Sequence, residues 1–445
     1  MLATANPTII KSSLFLNFMR VFTASRGVAG SMARGSRAND TDIQDAPRMA
    51  TTPDRLKPFE INPDIARAAT LPARVYSDES IYRAMVDRVL PASWQFIGDN
   101  SLVKTPGQVS PVTLLEGSLD EPLLLTRDLQ DRVHALSNVC THRGTTLVEK
   151  GGHEKRITCR YHGRRFELDG TCRFMPEFQG VEGFPSPSDH LPRVPFGTFP
   201  IATIPGNSAD PGAPDAAGMT GSIGRFLFAS IRPAGPLVEL LADMQRRVGW
   251  MPFDRFTHDP SRSREYLVRA NWALYCDNYL EGFHIPFVHT SLNQALDYGE
   301  YSTELFPWSN LQLGIATSGE DAFDLPTTSP DHGRRVAAYY FWLFPNTMFN
   351  FYPWGLSINV VRPVGVSLTK VAFISYVWDE SRLDRGAGAG LDRVEREDEA
   401  VVEAVQQGTR SRLYDRGRYS PTREQGVHHF HTLLARRFFE TPPVL

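Results

Sequence analysis

Cys140-Thr-His142-Arg-Gly144 and, after fourteen intervening residues, Cys159-Arg-Tyr-His162-Gly163 decide how this chain is read. Each segment offers one thiolate and one imidazole. Two such mixed pairs fit a [2Fe–2S] centre with both cysteines on one iron and both histidines on the other. Imidazole is neutral where thiolate is charged, so this centre carries less negative charge than an all-cysteine one and accepts an electron at higher potential. A structural zinc site uses the same residue types but closes with C-x2-4-C and H-x3-5-H rather than with mixed pairs. The glycine after each histidine permits a tight loop that brings backbone N–H groups toward the sulfurs. The only other cysteines are Cys172 and Cys276, which points to a reducing compartment without a disulfide framework.

On these residues the stretch from about 99 to 200 resembles the Rieske domain of the ring-hydroxylating oxygenase family. It departs at Arg160 and Arg164, where the family often has Pro and Trp; Arg160, Arg164 and Arg165 together read as a basic surface patch on the second loop, either solvated or steering an acidic reductase or ferredoxin. The Rieske proteins of respiratory complexes carry an extra cysteine in each loop. Thr145 and Tyr161 occupy those positions here, so the resemblance is to the oxygenase branch.

With 445 residues, 41% of them hydrophobic, the chain can bury a large core and divide into two or three domains. A formal net charge of −3 carries no signature of nucleic acid or membrane. Residues 1–39 lack Asp and Glu but hold Lys11, Arg20, Arg26, Arg34 and Arg37, the composition of an organellar transit peptide or of an overlong start. The apolar stretch from Ile9 to Phe22 is too short and too polar to span a bilayer. From Pro122 to Val139 the text reads as two apolar strands around a polar turn that deliver Cys140 at a strand end. Residues 205–218 and 380–392 read as exposed Gly/Pro/Ala-rich loops. Aromatic runs at 339–354 and 371–378 read as strands, with Phe349 and Phe351 as candidates for a substrate pocket. A helix is expected from Asp392 to about Arg412, with Val394, Val401, Val402 and Val405 as its apolar stripe.

Glu281-Gly-Phe-His284-Ile-Pro-Phe-Val-His289 is the second constellation. Two histidines and a carboxylate on one face of non-haem Fe(II) leave its other positions open. Histidines five apart lie about 140° apart around a straight helix, so Pro286 is expected to supply a break that lets them converge. The carboxylate is sought in Glu395-Arg-Glu397-Asp398-Glu399. Asp398, four residues from Val394 and from Val402, faces the stripe side; Glu397 and Glu403 are the rivals, and Glu395 and Glu399 are read as complements of the helix dipole. His428, His429 and His431 are read as ordinary helix residues, since seven ligands are already assigned.

Resemblance to the oxygenase catalytic domain, from about Leu237 onward, likewise maps the family's acidic ligand onto Asp398. The implied fold is α+β: an all-β Rieske [2Fe–2S] domain inserted in a helix-grip (START-like) catalytic domain. Residues 1–50 would be a disordered leader or overlong start, 51–91 the N-terminal part of the catalytic domain, 92–205 the Rieske domain and 206–445 the catalytic domain. Cys140, His142, Cys159 and His162 would hold the cluster, and His284, His289 and Asp398 an Fe(2+). The family often assembles head to tail as a trimer, in which an acidic residue bridges a cluster histidine of one subunit and an iron histidine of the next. By position that residue is Glu281, with Asp277 as a helper. A Glu at this position is frequent in members acting on quaternary amines, and Asp in those acting on arenes. The implied activity is that of a terminal oxygenase that activates O2 to hydroxylate or oxidatively dealkylate a small organic substrate. The chain has no G-x-G-x-x-G opening a helix after a strand, so NAD(P)H would act through a separate flavin or ferredoxin reductase. A cytoplasmic protein is expected, with organellar import as the alternative destination of the acid-free N-terminus. The competing function is a Rieske electron carrier with a small-molecule-binding domain and no oxygen chemistry.

Overall fold

The computed structural model describes residues 59–201, 219–220 and 223–440, all within one compact unit, Asp54–Leu445. The expected leader and the loop at 205–218 lie outside the described residues. Among the described residues, four antiparallel sheets and the helices packed on them form the mixed α+β fold.

The first part is all β. Glu121–Arg127 and Arg132–Ser137 form the expected hairpin, inside a five-stranded sheet with Gln108–Leu114, Gly152–His153 and Met219–Thr220. A small three-stranded sheet, Ile157–Thr158, Arg165–Phe166 and Cys172–Phe174, carries the second loop. Gln95–Asp99 and Phe196–Phe199 both pair with Phe226–Ala229. Strand pairing therefore carries this part past the boundary expected at 205, as far as Ala229.

The second part is an antiparallel sheet whose central strands are Leu368–Val377, Gly355–Gly365, Thr347–Tyr352, Val336–Leu343 and Ser309–Ile315. Both of its faces are covered, which is why the aromatic runs are apolar without interruption. Tyr339, Phe341, Phe349 and Phe351 point to the side packed on Phe96, Phe199, Phe226 and Phe228 of the first part. Their alternates Tyr340, Trp342, Met348 and Tyr352 point the other way, as the two-residue period of a strand requires. That second face is covered by α1 (Glu79–Arg88), α3 (Trp272–Tyr279), α6 (Leu391–Gly408) and α7 (Gln425–Phe439), while α2 (Leu237–Val248) packs on the first. Phe59, Leu71, Val75 and Met85 share a core with Trp272, Trp342 and Phe430, so the segment before the first strand packs with the later part of the chain.

Helix α6 ends at Gly408, earlier than expected, and Thr409 caps it. Val402 is buried as expected, but Val405 is exposed.

Candidate active site

The two metal-binding segments fold as copies of one loop. Cys140 N–H donates to Thr145 O and Gly144 N–H donates back to Cys140 O; Cys159 N–H donates to Arg164 O and Gly163 N–H to Cys159 O, all at 2.8–2.9 Å. Gly144 (φ 71°) and Gly163 (φ 73°) both occupy the left-handed region, where a side chain is strained. The fold brings the loops together. Both cysteines are buried, and burial pushes the Cys140 thiol up, with Cys159 close enough to add to the effect. The rings of His142 and His162 have centroids 4.9 Å apart, with His162 exposed and His142 half-buried. Paired thiols inside and paired imidazoles outside are what a two-iron centre with segregated ligands needs.

Arg164 departs from the expectation of a basic surface patch, since it is only 2% exposed. Its guanidinium pairs with Asp189, Nε donates to Cys172 Sγ at 3.4 Å, and it lies over the Phe184 and Phe166 rings. It clamps the second loop to the 184–190 segment. Removing one partner of a fully buried pair costs roughly 3–5 kcal/mol. Asp189 keeps its bonds from Ser186 and is partly exposed, so Arg164→Ala is expected to cost about 2 kcal/mol, read as a lower thermal midpoint, with Arg165→Ala near zero.

The second constellation converges as well. His284 caps α4 (Ile285–Val288), and His289, with φ −108° and ψ 78°, separates it from α5 (Thr290–Ala295). The break is this non-helical backbone rather than Pro286, which sits in the first turn of α4, where a missing N–H costs nothing. His284 Nε2 and His289 Nε2 are 3.1 Å apart, and Asp398 Oδ1 lies 3.0 Å from His289 Nε2 and 3.3 Å from His284 Nε2. Among the described residues this is the group of three or more His, Cys, Asp or Glu whose ligand atoms all lie within 4.8 Å. Donors about 2.1 Å from a metal and at right angles to one another lie about 3.0 Å apart, so the triangle fits three ligands on one face of an ion.

The other ring nitrogens face carboxylates. His284 Nδ1 lies 2.7 Å from Glu281 Oε1, and Glu281 Oε2 accepts the His284 backbone N–H at 3.0 Å. His289 Nδ1 lies 2.9 Å from Glu397 Oε2. Carboxylates on both Nδ1 atoms fix each ring with Nε2 turned inward. Burial opposes charge on His284, but hydrogen bonds with Asp398 and Glu281 outweigh it and hold its pKa up to about 10. Burial likewise raises Asp398, and the two histidines overcome that and hold its carboxyl below the usual range.

Beside the triangle opens a cavity with about 660 Å³ of free space, its mouth included. Tyr279, Tyr301, Tyr340 and Tyr352 line it with Glu281, Glu395 and the triad. Phe349 and Phe351, the rings singled out in the sequence, are on the opposite face of the sheet. Glu395 and Glu399 are not solvated complements of a helix dipole. Glu395 faces the cavity and takes a bond from Tyr275 Oη at 2.8 Å; Glu399 is half-buried, and burial pushes it up to about 7. Asp277 turns to His431, 2.7 Å away, and accepts from Tyr76 Oη at 2.8 Å. His431 is buried between Asp277 and Tyr419 rather than being an ordinary helix residue. Asp277 thus anchors α3 to α7, one turn before Glu281.

Residues 93–185 match the Rieske [2Fe-2S] domain, and residues 253–439 match the ring hydroxylating alpha subunit (catalytic domain). The chain is 31% identical to a chloroplastic choline monooxygenase of Arabidopsis thaliana, over 88% of this chain and 87% of the relative. It is 28% identical to the carnitine monooxygenase oxygenase subunit of Escherichia coli (strain K12), over 87% and 98%. Its fold superposes on a quaternary ammonium Rieske monooxygenase in complex with L-carnitine, with a TM-score of 0.62 at 21% identity over 85% of this chain and 100% of the other. A naphthalene 1,2-dioxygenase from Rhodococcus sp. gives 0.60 at 15% identity, over 83% and 93%. Two loops built for a [2Fe–2S] cluster, a facial His/His/Asp triangle and a relative this similar along most of its length agree: the chain belongs to the Rieske non-haem iron oxygenases, oxidoreductases that pair that cluster with a mononuclear iron and draw on NAD(P)H through a reductase.

Proposed function

We propose that this chain is the terminal oxygenase component of a system that hydroxylates or oxidatively dealkylates a small quaternary amine. The observation that carries this is the cavity beside the triangle, walled by five tyrosines and acidic side chains, with no Lys or Arg among the described residues of its lining. Aromatic faces attract a quaternary ammonium through their quadrupoles, whereas an arene would leave Gln312, Asn350, Asn359 and Glu395 facing apolar surface. The relatives named for choline and carnitine support the same class.

Cys140, His142, Cys159 and His162 would hold the cluster; His284, His289 and Asp398 would hold Fe(2+). When bound, the cluster supplies electrons singly and the iron supplies the place where O2 is activated. In balance, O2 and an electron pair from NAD(P)H put one oxygen into a substrate C–H bond and release the other as water. If the carbon is attached to nitrogen, the C–N bond then breaks and an aldehyde leaves. The protein's own part is to orient substrate and ligands. Glu281 and Glu397 hold the imidazoles in one tautomer, and the tyrosine walls exclude water. Glu397→Ala is expected to weaken iron binding roughly 10–100-fold while the cluster's EPR signal stays intact. Unchanged iron retention during dialysis against a chelator would count against that role.

A head-to-tail trimer completes the reading. His162 is exposed on one part of the chain, and Phe287, next to the triangle, is 81% exposed, so each is free to meet another copy. Arg143, Arg160 and Arg165 remain exposed around the cluster loops and would face a flavin or ferredoxin reductase. No helix among the described residues is long and apolar enough to cross a membrane. The deciding experiment is a screen for substrate-stimulated NADH use with a surrogate reductase. Quaternary amines are expected to stimulate it and yield oxidised product, and stimulation by arenes alone would refute the proposal. The electron-carrier alternative is tested by the same preparation, since it predicts no iron beyond the cluster's pair.

A further inference from the structure

Glu395 lies one helical turn before Asp398 and lines the same cavity. Its carboxylate takes a bond from Tyr275 Oη at 2.8 Å, and among the described residues no Lys, Arg or His forms an ion pair with it. It also borders a neighbouring cavity that contains Arg262 and Arg264. Those cations are engaged elsewhere: Arg262 pairs with Asp384, and Arg264 donates to the carbonyls of Ser261 and Ser263. Burial is the largest influence on Glu395 and pushes its pKa well up, against hydrogen bonds with Tyr275 and Asn359. An enclosed carboxylate in such surroundings is costly unless a cation joins it. Tyr279, Tyr340 and Tyr352 line the cavity with it. Tyr340 and Tyr352 meet edge to face with centroids 5.9 Å apart, and Tyr301 lies 6.5 Å from Tyr340. Carboxylate and ring faces therefore converge on one volume beside the triad.

We infer that Glu395 is the counter-ion of the substrate's quaternary ammonium group, and that the cavity selects quaternary amines whose remaining tail carries no carboxylate. This rests on the quaternary-amine reading and narrows it. The second half follows from the same lining: Asp398 and the two histidines are committed to the iron, and the rest of the lining offers a substrate carboxylate Glu281 and Glu395, both of like charge, and no Lys or Arg among the described residues. Glu395 is a specificity-determining residue, with no part in holding either metal centre.

The test is equilibrium binding to the oxidised holoenzyme. The probes are choline, carnitine and the uncharged isostere of choline in which tert-butyl replaces trimethylammonium. Wild type is expected to bind choline more tightly than its isostere and more tightly than carnitine. Glu395→Gln should lose roughly tenfold in choline affinity, the size of one charge-assisted contact, without change for the isostere. Glu395→Asp should retain the preference for choline in part. Equal losses for choline and isostere would assign Glu395 a packing role and overturn the inference, and so would a Glu395→Gln variant that still prefers choline as wild type does. Tighter binding of carnitine than of choline would overturn the uncharged tail yet leave the quaternary-amine reading standing. A wild type that does not distinguish choline from its isostere would bring down both.

Discussion

Asp398→Ala is expected to yield a brown protein that holds the cluster's iron pair and no third iron. The cluster loops are unaffected, because Asp398 is on α6 and touches His284 and His289 rather than any part of the 140–163 region. At the triangle the loss is severe. Two histidines remain, and the charge that balanced the metal is gone. A partner behind a metal ligand costs roughly 10–100-fold in affinity when removed, so a direct ligand should cost more than that. Turnover should fall to background while the reduced cluster keeps its EPR signal. Glu397→Ala is the control: Glu397 meets the Nδ1 side of His289, away from the triangle, so its iron should be weakened but present. Retention of a third iron in Asp398→Ala, together with its loss in Glu397→Ala, would exchange the roles of the two carboxylates.

The two metal sites were legible because their information is local. A cysteine and a histidine two or three residues apart, each pair closely followed by a glycine, encode a loop whatever surrounds it, and both loops fold alike. Asp398 could be chosen because helical spacing from Val394 and Val402 fixes its face. The same argument, carried three residues back, points Glu395 into the cavity; the helix dipole offered a sufficient local reason for an acid there and hid the signal. The pocket rings were illegible for another reason. Both faces of the strands Val336–Leu343 and Thr347–Tyr352 are buried, so the polar alternation that would show which parity faces the cavity is missing. Arg164 was misplaced because its partner Asp189 lies 25 residues away, and pairing at that distance leaves no mark on the loop itself.

Glu281→Gln should leave both metal centres loaded and the cluster reducible, yet slow the passage of electrons between them. Glu281 already makes half of the connection within one chain: Oε1 lies 2.7 Å from His284 Nδ1, while Oε2 is held by the His284 backbone N–H. That second contact fixes the carboxylate, so it can present a defined edge to an exposed histidine such as His162 of another copy. Between two imidazoles a carboxylate accepts from both and stabilises the positive charge that appears when a cluster histidine takes up a proton on reduction. A glutamine keeps the size and one acceptor, but its amide N–H₂ turns one contact into donor against donor and removes the charge. Asp277 does not compensate, because His431 and Tyr76 already occupy its carboxylate. The measurement is single-turnover reoxidation of the pre-reduced cluster with substrate and O2 present. A fall of roughly 10–100-fold at unchanged iron content is expected; reoxidation and product formation at the wild-type rate would show that the electron takes another path.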